Sequence, residues 1–255
     1  FCENLSLEVR TPQTLKFNSQ EELYLCKLEP DLIIVVSYGQ IIPKNLLKIP
    51  KYGFLNVHAS LLPKWRGAAP IQRSIMNLDK ETGISIMKIN ENLDEGPVCN
   101  QYSLKISENV NSEELSEKLS LLASEKILNV LDNIYDGNIK FTNQDNSKAT
   151  YAKKIQKTEG KIDWNENAEK IIGKINGLYP YPGAFFSFNG ERYKILKAGL
   201  SHTSGVPGNI TSEDFEICCG EGSIKVLSIQ REGKRVQQIK EFLLGSQIKK
   251  GINIA

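Results

Sequence analysis

The sequence predicts an α/β fold in two parts. Residues 1–150 read as a Rossmann-like domain with a mostly parallel sheet, and residues 151–255 as a small OB-like β-barrel. Three observations carry this reading. A continuous β-branched run at 31–37 suits a strand buried in a parallel sheet. Strand-like and helix-like patterns then alternate up to a long amphipathic stretch at 112–136. After about residue 184 only short strands separated by tight turns follow.

Taken in order, residues 13–29 form a helix with Asn18 and Ser19 at its cap and Leu23 and Cys26 on one face. Tyr38–Pro43 is a loop at the carboxyl end of the first strand, and a short helix near Lys44–Leu47 follows. Phe54–His58 is the next strand, Pro70 opens a helix to about Asn77, and Gly83–Ile89 and 98–106 are further strands. Asn111 and Glu114 make a capping box for the helix at 112–136, whose apolar stripe is Leu115, Leu119, Leu122, Ile127, Val130 and Ile134. A polar connector at 138–150 leads to a helix around 168–176. Strands at 184–188, 192–198, 215–219 and 223–229 come next, with Asn189–Gly190 as a type I′ hairpin turn.

Composition narrows the function classes. Hydrophobic and charged residues make up 40% and 24% of the chain, ordinary for a globular protein. No apolar run approaches the ~18 residues of a membrane span, and the opening residues do not read as a signal peptide. Five cysteines without metal-type spacing point to a reducing cytoplasm, and two histidines are too few for a histidine-built metal site. The first 150 residues carry 16 Lys/Arg against 19 Asp/Glu, and the remainder 16 against 11. A basic second half suits a polyanionic partner, or simply a lysine-rich surface.

The chemistry concentrates at 53–70. Side chains two apart on a strand share a face, so Asn56 and His58 project together from a strand end, where open α/β sheets bind ligands. Both can donate hydrogen bonds to a developing oxyanion. With no Ser, Cys or Lys nucleophile beside them, the pair suits direct transfer of an acyl-like group to an external nucleophile. Asp94, in the loop beyond Gly83–Ile89, is placed to orient His58 and to take a proton from an attacking amine. Taken singly, His58 reads as a core or surface residue and Asp94 as a turn residue. As a set they favour catalysis. Lys64 and Arg66 suit an anion or a solvated loop equally, and Trp65 suits packing. Lys153, Lys154, Lys157 and Lys161 suit a phosphate backbone or a solvated face. His202 reads as a loop residue.

Four motifs, Asn56–Val–His58, Ser60–Leu–Leu–Pro63, Trp65–Arg–Gly–Ala–Ala–Pro–Ile–Gln72 and Leu93–Asp–Glu–Gly96, together resemble the formyltetrahydrofolate-dependent formyltransferases. The run Trp65–Gln72 is characteristic of the branch acting on methionyl-tRNA. Thr150–Lys154, Lys161–Trp164 and Tyr179–Gly183 fit the same branch. The resemblance covers nearly the whole chain. It implies catalytic roles for Asn56, His58 and Asp94, and a folate-binding loop at Ser60, Leu61, Leu62 and Pro63. It also implies a pterin pocket lined by Tyr38, Gly39 and Ile41 with the segment around Asp94. The co-substrate would be 10-formyltetrahydrofolate, with no metal, and the acceptor methionyl-initiator tRNA, held by an OB-like second domain of a monomer. One departure concerns the start of the chain: Phe1–Leu15 matches the segment after the family's opening strand–helix–strand unit and basic loop. The expectation is of a fragment less stable than a complete relative. Competing readings are formylation of a sugar amine or another small amine, and a non-catalytic RNA-binding fragment.

Overall fold

The computed structural model describes residues 2–255, apart from the side chain of Glu3; Phe1 of the Phe1–Leu15 segment lies outside the described residues. The first part contains α1 (Ser19–Leu28), β1 (Ile33–Val35), α2 (Lys44–Leu47), β2 (Phe54–His58), β3 (Arg66–Gly67), α3 (Pro70–Met76), β4 (Glu81–Lys88), β5 (Val98–Lys105) and α4 (Ser112–Tyr135). The connector ends in β6 (Tyr151–Ala152). Beyond it come α5 (Ala168–Gly177), β7 (Ala184–Phe188), β8 (Glu191–Ser201), β9 (Glu216–Cys218), β10 (Ser223–Arg231), β11 (Gln237–Gln238) and α6 (Ile239–Gly245).

The local signals act as their chemistry dictates. The Asn18 side chain accepts from Glu21 N–H, Pro70 occupies the first turn of α3, and Asn111 and Glu114 cap each other's backbone at α4. Asn189 and Gly190 both take positive φ (50° and 78°), as a type I′ turn requires. The first helix is shorter than 13–29, and no residue of it is buried; Leu23 is 61% exposed.

The first sheet runs β1-β2-β4-β5. Parallel pairing is confined to β1 and β2, and both β2–β4 and β4–β5 are antiparallel. The expectation of a mostly parallel arrangement therefore holds for one join of three among the described residues. After α3 the chain re-enters beside the end of β2, with His58 facing Ser85. Edge strand β1 is half open, Ile34 being exposed.

Leu55 and Val57 turn one face of β2 into a core with Ile84, Ile86, Leu115, Leu119, Val130 and Ile134. Asn56 and His58 take the opposite face. In the second part five antiparallel strands (β11-β10-β8-β7, with β9 on β10) enclose a separate core around Trp164, Phe186, Tyr193, Phe215 and Phe242. The two parts meet where α5 lies on α3. A Cβ on Gly173 would stand 2.8 Å from Leu78 Cδ2, and one on Gly177 2.6 Å from Met76 Cγ. Two small residues one helical turn apart let the helices approach this closely. Arg73 of α3 adds a clamp, donating to Lys153 O (3.0 and 3.1 Å) and to both Glu159 oxygens (2.6 and 3.1 Å).

Candidate active site

Asn56, His58 and Asp94 come together, but Asp94 arrives by a different route from the expected one. Because β4 runs antiparallel to β2, its last residue lies beside Leu55, away from the carboxyl end of β2. The loop after β4 folds back across the sheet face instead. It starts at Ile89, whose N–H donates to Phe54 O, and closes where Lys88 N–H donates to Pro97 O. The return is so tight that a Cβ on Gly96 would stand 1.7 Å from Lys88 O. Asp94 takes a left-handed φ of 51° at the crest.

There its carboxylate meets three groups. Oδ1 accepts from Asn56 Nδ2 at 3.4 Å, Oδ2 accepts from Gly67 N–H at 2.8 Å, and Oδ2 lies 3.7 Å from His58 Nδ1. His58 is buried, and its Nε2 sits 2.9 Å from Trp65 O. A carbonyl only accepts, so Nε2 carries the proton in that bond. The ring nitrogen left to face a reactant is therefore Nδ1, on the Asp94 side. At 3.7 Å the Nδ1–Oδ2 separation is longer than a hydrogen bond.

The loop Ser60–Pro63 is an internal support. Ser60 Oγ donates to Lys64 O and Ser85 Oγ donates to Ser60 O (2.6 Å), while Leu62 N–H donates to Ser85 Oγ (2.9 Å). Gln101 Nε2 donates to both Leu62 O and Ser85 Oγ at 2.8 Å. Ser60 and Leu62 are buried and their polar groups engaged, whereas Leu61 and Pro63 are half-exposed. Tyr38, Gly39 and Ile41 stand in the open, Ile41 at 90% exposure. They follow β1, whose Val35 lies beside Asn56. Gln40 holds their loop through Pro12 O and Leu15 N–H, and Lys44 ion-pairs with Glu91 at the start of the Asp94 loop.

Arg66 differs from either expectation for it. It is 1% exposed and reaches neither solvent nor an open anion site. Its guanidinium meets Gln144 Oε1 (3.0 and 2.8 Å), Asn146 Oδ1 (2.7 Å) and Glu95 Oε1 (3.3 Å). Gln144 in turn donates to Asp94 O and Gly96 O, both at 2.8 Å. Sequence reasoning missed Gln144 because a lone amide in a polar connector carries no periodic or motif signal. Trp65 is half-exposed, with its indole N–H on Asp79 Oδ2 at 2.7 Å. Lys64, Lys153, Lys154, Lys157 and Lys161 are exposed, and His202 is an exposed residue just beyond β8. All five cysteines are free thiols; burial pushes Cys99 and Cys219 up to about 11, so neither is a thiolate at neutral pH. Among the described residues no group of three or more His, Cys, Asp or Glu is placed to hold a metal, and no helix is long and apolar enough to cross a membrane.

Taken as chemistry, the site offers an amide donor, an imidazole nitrogen and a carboxylate around one point, with no nucleophile of its own. Comparison with known proteins identifies the family. Residues 6–131 match the formyl transferase family model and residues 154–247 the formyl transferase C-terminal domain. A methionyl-tRNA formyltransferase of Pelagibacter ubique is 62% identical over 254 residues, 99% of this chain and 82% of that one. One from Thermodesulfovibrio yellowstonii is 43% identical over 90% of this chain and 75% of its own. Among solved structures, HypX from Aquifex aeolicus in complex with tetrahydrofolic acid aligns over 92% of this chain and 43% of its own, with a TM-score of 0.69 at 19% identity. A methionyl-tRNA formyltransferase from Clostridium thermocellum aligns over 78% of this chain and 85% of its own, with a TM-score of 0.61 at 23% identity. The fold is thus that of formyltransferases, and by sequence the chain belongs to the methionyl-tRNA formyltransferase family.

Proposed function

We propose that the protein moves the formyl group of 10-formyltetrahydrofolate onto the α-amine of methionyl-initiator tRNA, the modification that prepares this tRNA for translation initiation. The observation that carries the reading is the meeting of Asn56, His58 and Asp94 on one face of β2, in a chain 62% identical to a methionyl-tRNA formyltransferase.

In this mechanism the amine nitrogen bonds to the formyl carbon and the bond from that carbon to the folate nitrogen breaks. The Asn56 amide donates to the oxygen as negative charge develops on it, and so does Nδ1–H of His58 in its imidazolium form, Nε2 keeping its own proton on Trp65 O. Such donation is typically the largest single contribution in acyl transfer. The Asp94 carboxylate receives the proton the amine loses and passes it to the departing folate nitrogen, which leaves as N–H. The anchoring of Nε2 on Trp65 O keeps the imidazole from turning away. Exposed Tyr38, Gly39, Ile41 and Leu93 suit the flat, partly apolar folate, and they belong to two loops that the Lys44–Glu91 ion pair joins. Leu61 and Pro63 are the members of their loop open enough to touch it.

The division into a catalytic part, 1–150, and a tRNA-holding part, 151–255, belongs to the same reading. Ala152 pairs with Gly67 beside the site, and exposed Lys153, Lys154 and Lys157 follow it. Tyr181, 64% exposed, has Lys157 Nζ and Lys194 Nζ 6.0 and 5.8 Å from its ring. An aromatic face flanked by cations is the surface an unpaired base and its phosphates use. The protein would act as a monomer in a bacterial or organellar-type cytoplasm.

The test is formyl transfer to methionyl-initiator tRNA by this chain and by His58→Ala. Transfer that falls by roughly 100-fold or more in the variant supports the reading. Undiminished transfer in His58→Ala, or transfer to small sugar amines in preference to tRNA, overturns it.

A further inference from the structure

We propose that Gln144 is a positioning residue for the reaction: backed by Arg66, it sets where the Asp94 carboxylate stands relative to His58. The inference rests on the catalytic reading of Asp94 given above.

The geometry forms a closed ring. Gly67 N–H donates to Asp94 Oδ2, and Arg66 precedes Gly67. The Arg66 guanidinium grips Gln144 Oε1 with two nitrogens, and Gln144 Nε2 donates back to Asp94 O and Gly96 O. Every hydrogen-bonding group of the Gln144 amide is therefore used. Its orientation has no alternative, since a flipped amide would set its oxygen against two carbonyls and its NH2 against a guanidinium. Arg66 is almost wholly buried; its Nη2 also donates to Asn146 Oδ1, while Nη1 makes no hydrogen bond and lies 3.3 Å from Glu95 Oε1. A charge removed from water is retained only where its surroundings are organised to meet it.

What these bonds secure is an unfavourable piece of backbone. Asp94 holds a φ of 51°, and left-handed backbone in a residue other than glycine persists where its surroundings over-determine it. Asn56 and Gly67 hold only its carboxylate. The two carbonyl bonds from Gln144 fix the backbone on either side of Glu95, hence the direction in which the Asp94 side chain leaves. Gln144 belongs to the connector that runs into β6 and the second sheet. The place of the catalytic carboxylate is thus set partly from outside the sheet that carries His58.

The experiment compares Gln144→Ala, Gln144→Glu and Asp94→Asn in formyl transfer to methionyl-tRNA. It also follows the two histidine ring Cε1–H resonances by NMR at one pH; His58 and His202 are the chain's only histidines. The expected result for Gln144→Ala is a fall in kcat of roughly 10- to 100-fold, the scale seen when a hydrogen bond that orients a reacting group is removed. KM for both substrates should stay within about twofold, as for an interaction realised only in the transition state. The His58 resonance should move in the same direction as in Asp94→Asn, with His202 unmoved. Gln144→Glu keeps an oxygen for Arg66 but turns another on the two carbonyls, so it should remain slow, and it is the variant to read if Gln144→Ala does not fold. A Gln144→Ala enzyme with kcat within about twofold of the original would overturn the proposal, as would joint movement of both resonances, which marks general loosening. If Asp94→Asn itself transfers formyl at the original rate, the catalytic reading of Asp94 fails, a result distinct from a slow Asp94→Asn beside a fast Gln144→Ala.

Discussion

The two cores of the molecule are built to different standards. The second is closed: Phe186 stacks on Tyr193 (5.4 Å, 12°), Tyr193 and Phe215 meet Phe242 edge-on, and Trp164 completes the cluster. Isoleucines from α5, β8, β9 and β10 fill the remainder. The first leaks at one side. Phe17 is 94% exposed, Leu23, Ile34 and Val36 are exposed, and α1 buries nothing. Yet the site stands on this more open core. The difference teaches that site geometry here does not come from apolar packing beneath it. It comes from polar groups and tight backbone turns: Asp94 under Gly67 and Gln144, His58 under Trp65 O, Ser60 and Leu62 under Ser85 and Gln101.

The largest effect expected from this contrast is on stability. Phe186, 2% exposed, fills the centre of the closed core. Phe186→Ala should cost about 3–5 kcal/mol in urea unfolding, the usual loss for a buried aromatic. Leu23→Ala on α1 should change stability by no more than about 0.5 kcal/mol. Similar losses for the two would show that α1 is packed in solution and that the cores are equivalent.

Gly96→Ala examines the turn instead of the core. A Cβ there would stand 1.7 Å from Lys88 O and 3.0 Å from Met87 Cε. The first neighbour is backbone and cannot swing aside, so the loop must move. The stability loss should be about 1–3 kcal/mol, as for overpacking. Asp94, two residues away, moves with the loop, so formyl transfer should fall far more than stability does. Full activity in Gly96→Ala would show that Asp94 is not held by this turn.

These contrasts also explain what could be read from the chain. Elements with a local cause were legible: the capping box of α4, proline opening α3, the Asn189–Gly190 turn, and the pairing of Asn56 with His58 on one face of β2. Strand direction was not, because a buried strand in an antiparallel pair has the same apolar run as one in a parallel pair. Asp94 was found as part of a motif, but its route was misjudged with the strand direction. The burial of Arg66 and the part played by Gln144 were not legible for a related reason. The burial of a charge, and the use of every donor and acceptor on one amide, depend on groups that meet across 78 residues of chain. No local pattern encodes them.

The smallest effect concerns the clamp between the two parts. The Arg73 guanidinium, chiefly by hydrogen bonding, holds the Glu159 carboxyl below its ordinary value of 4.5; burial opposes this, and Gln156 N–H assists. A carboxylate whose folded value is depressed stabilises the fold while ionised. Its contribution is complete above the unfolded value and is lost as pH falls through the folded one. At neutral pH the pair should contribute about 1 kcal/mol or less, since Glu159 is partly open to solvent. Glu159→Gln should therefore weaken the protein slightly at pH 7 and make little difference well below pH 4, approached in urea melts at each pH. The two Arg73 bonds to Lys153 O involve no titrating acceptor and should persist in the variant. An equal loss at both pH values would mean that the Glu159 side chain matters by shape alone. In that case the α3–α5 packing at Gly173 and Gly177, with the Lys153 bonds, joins the parts without help from charge.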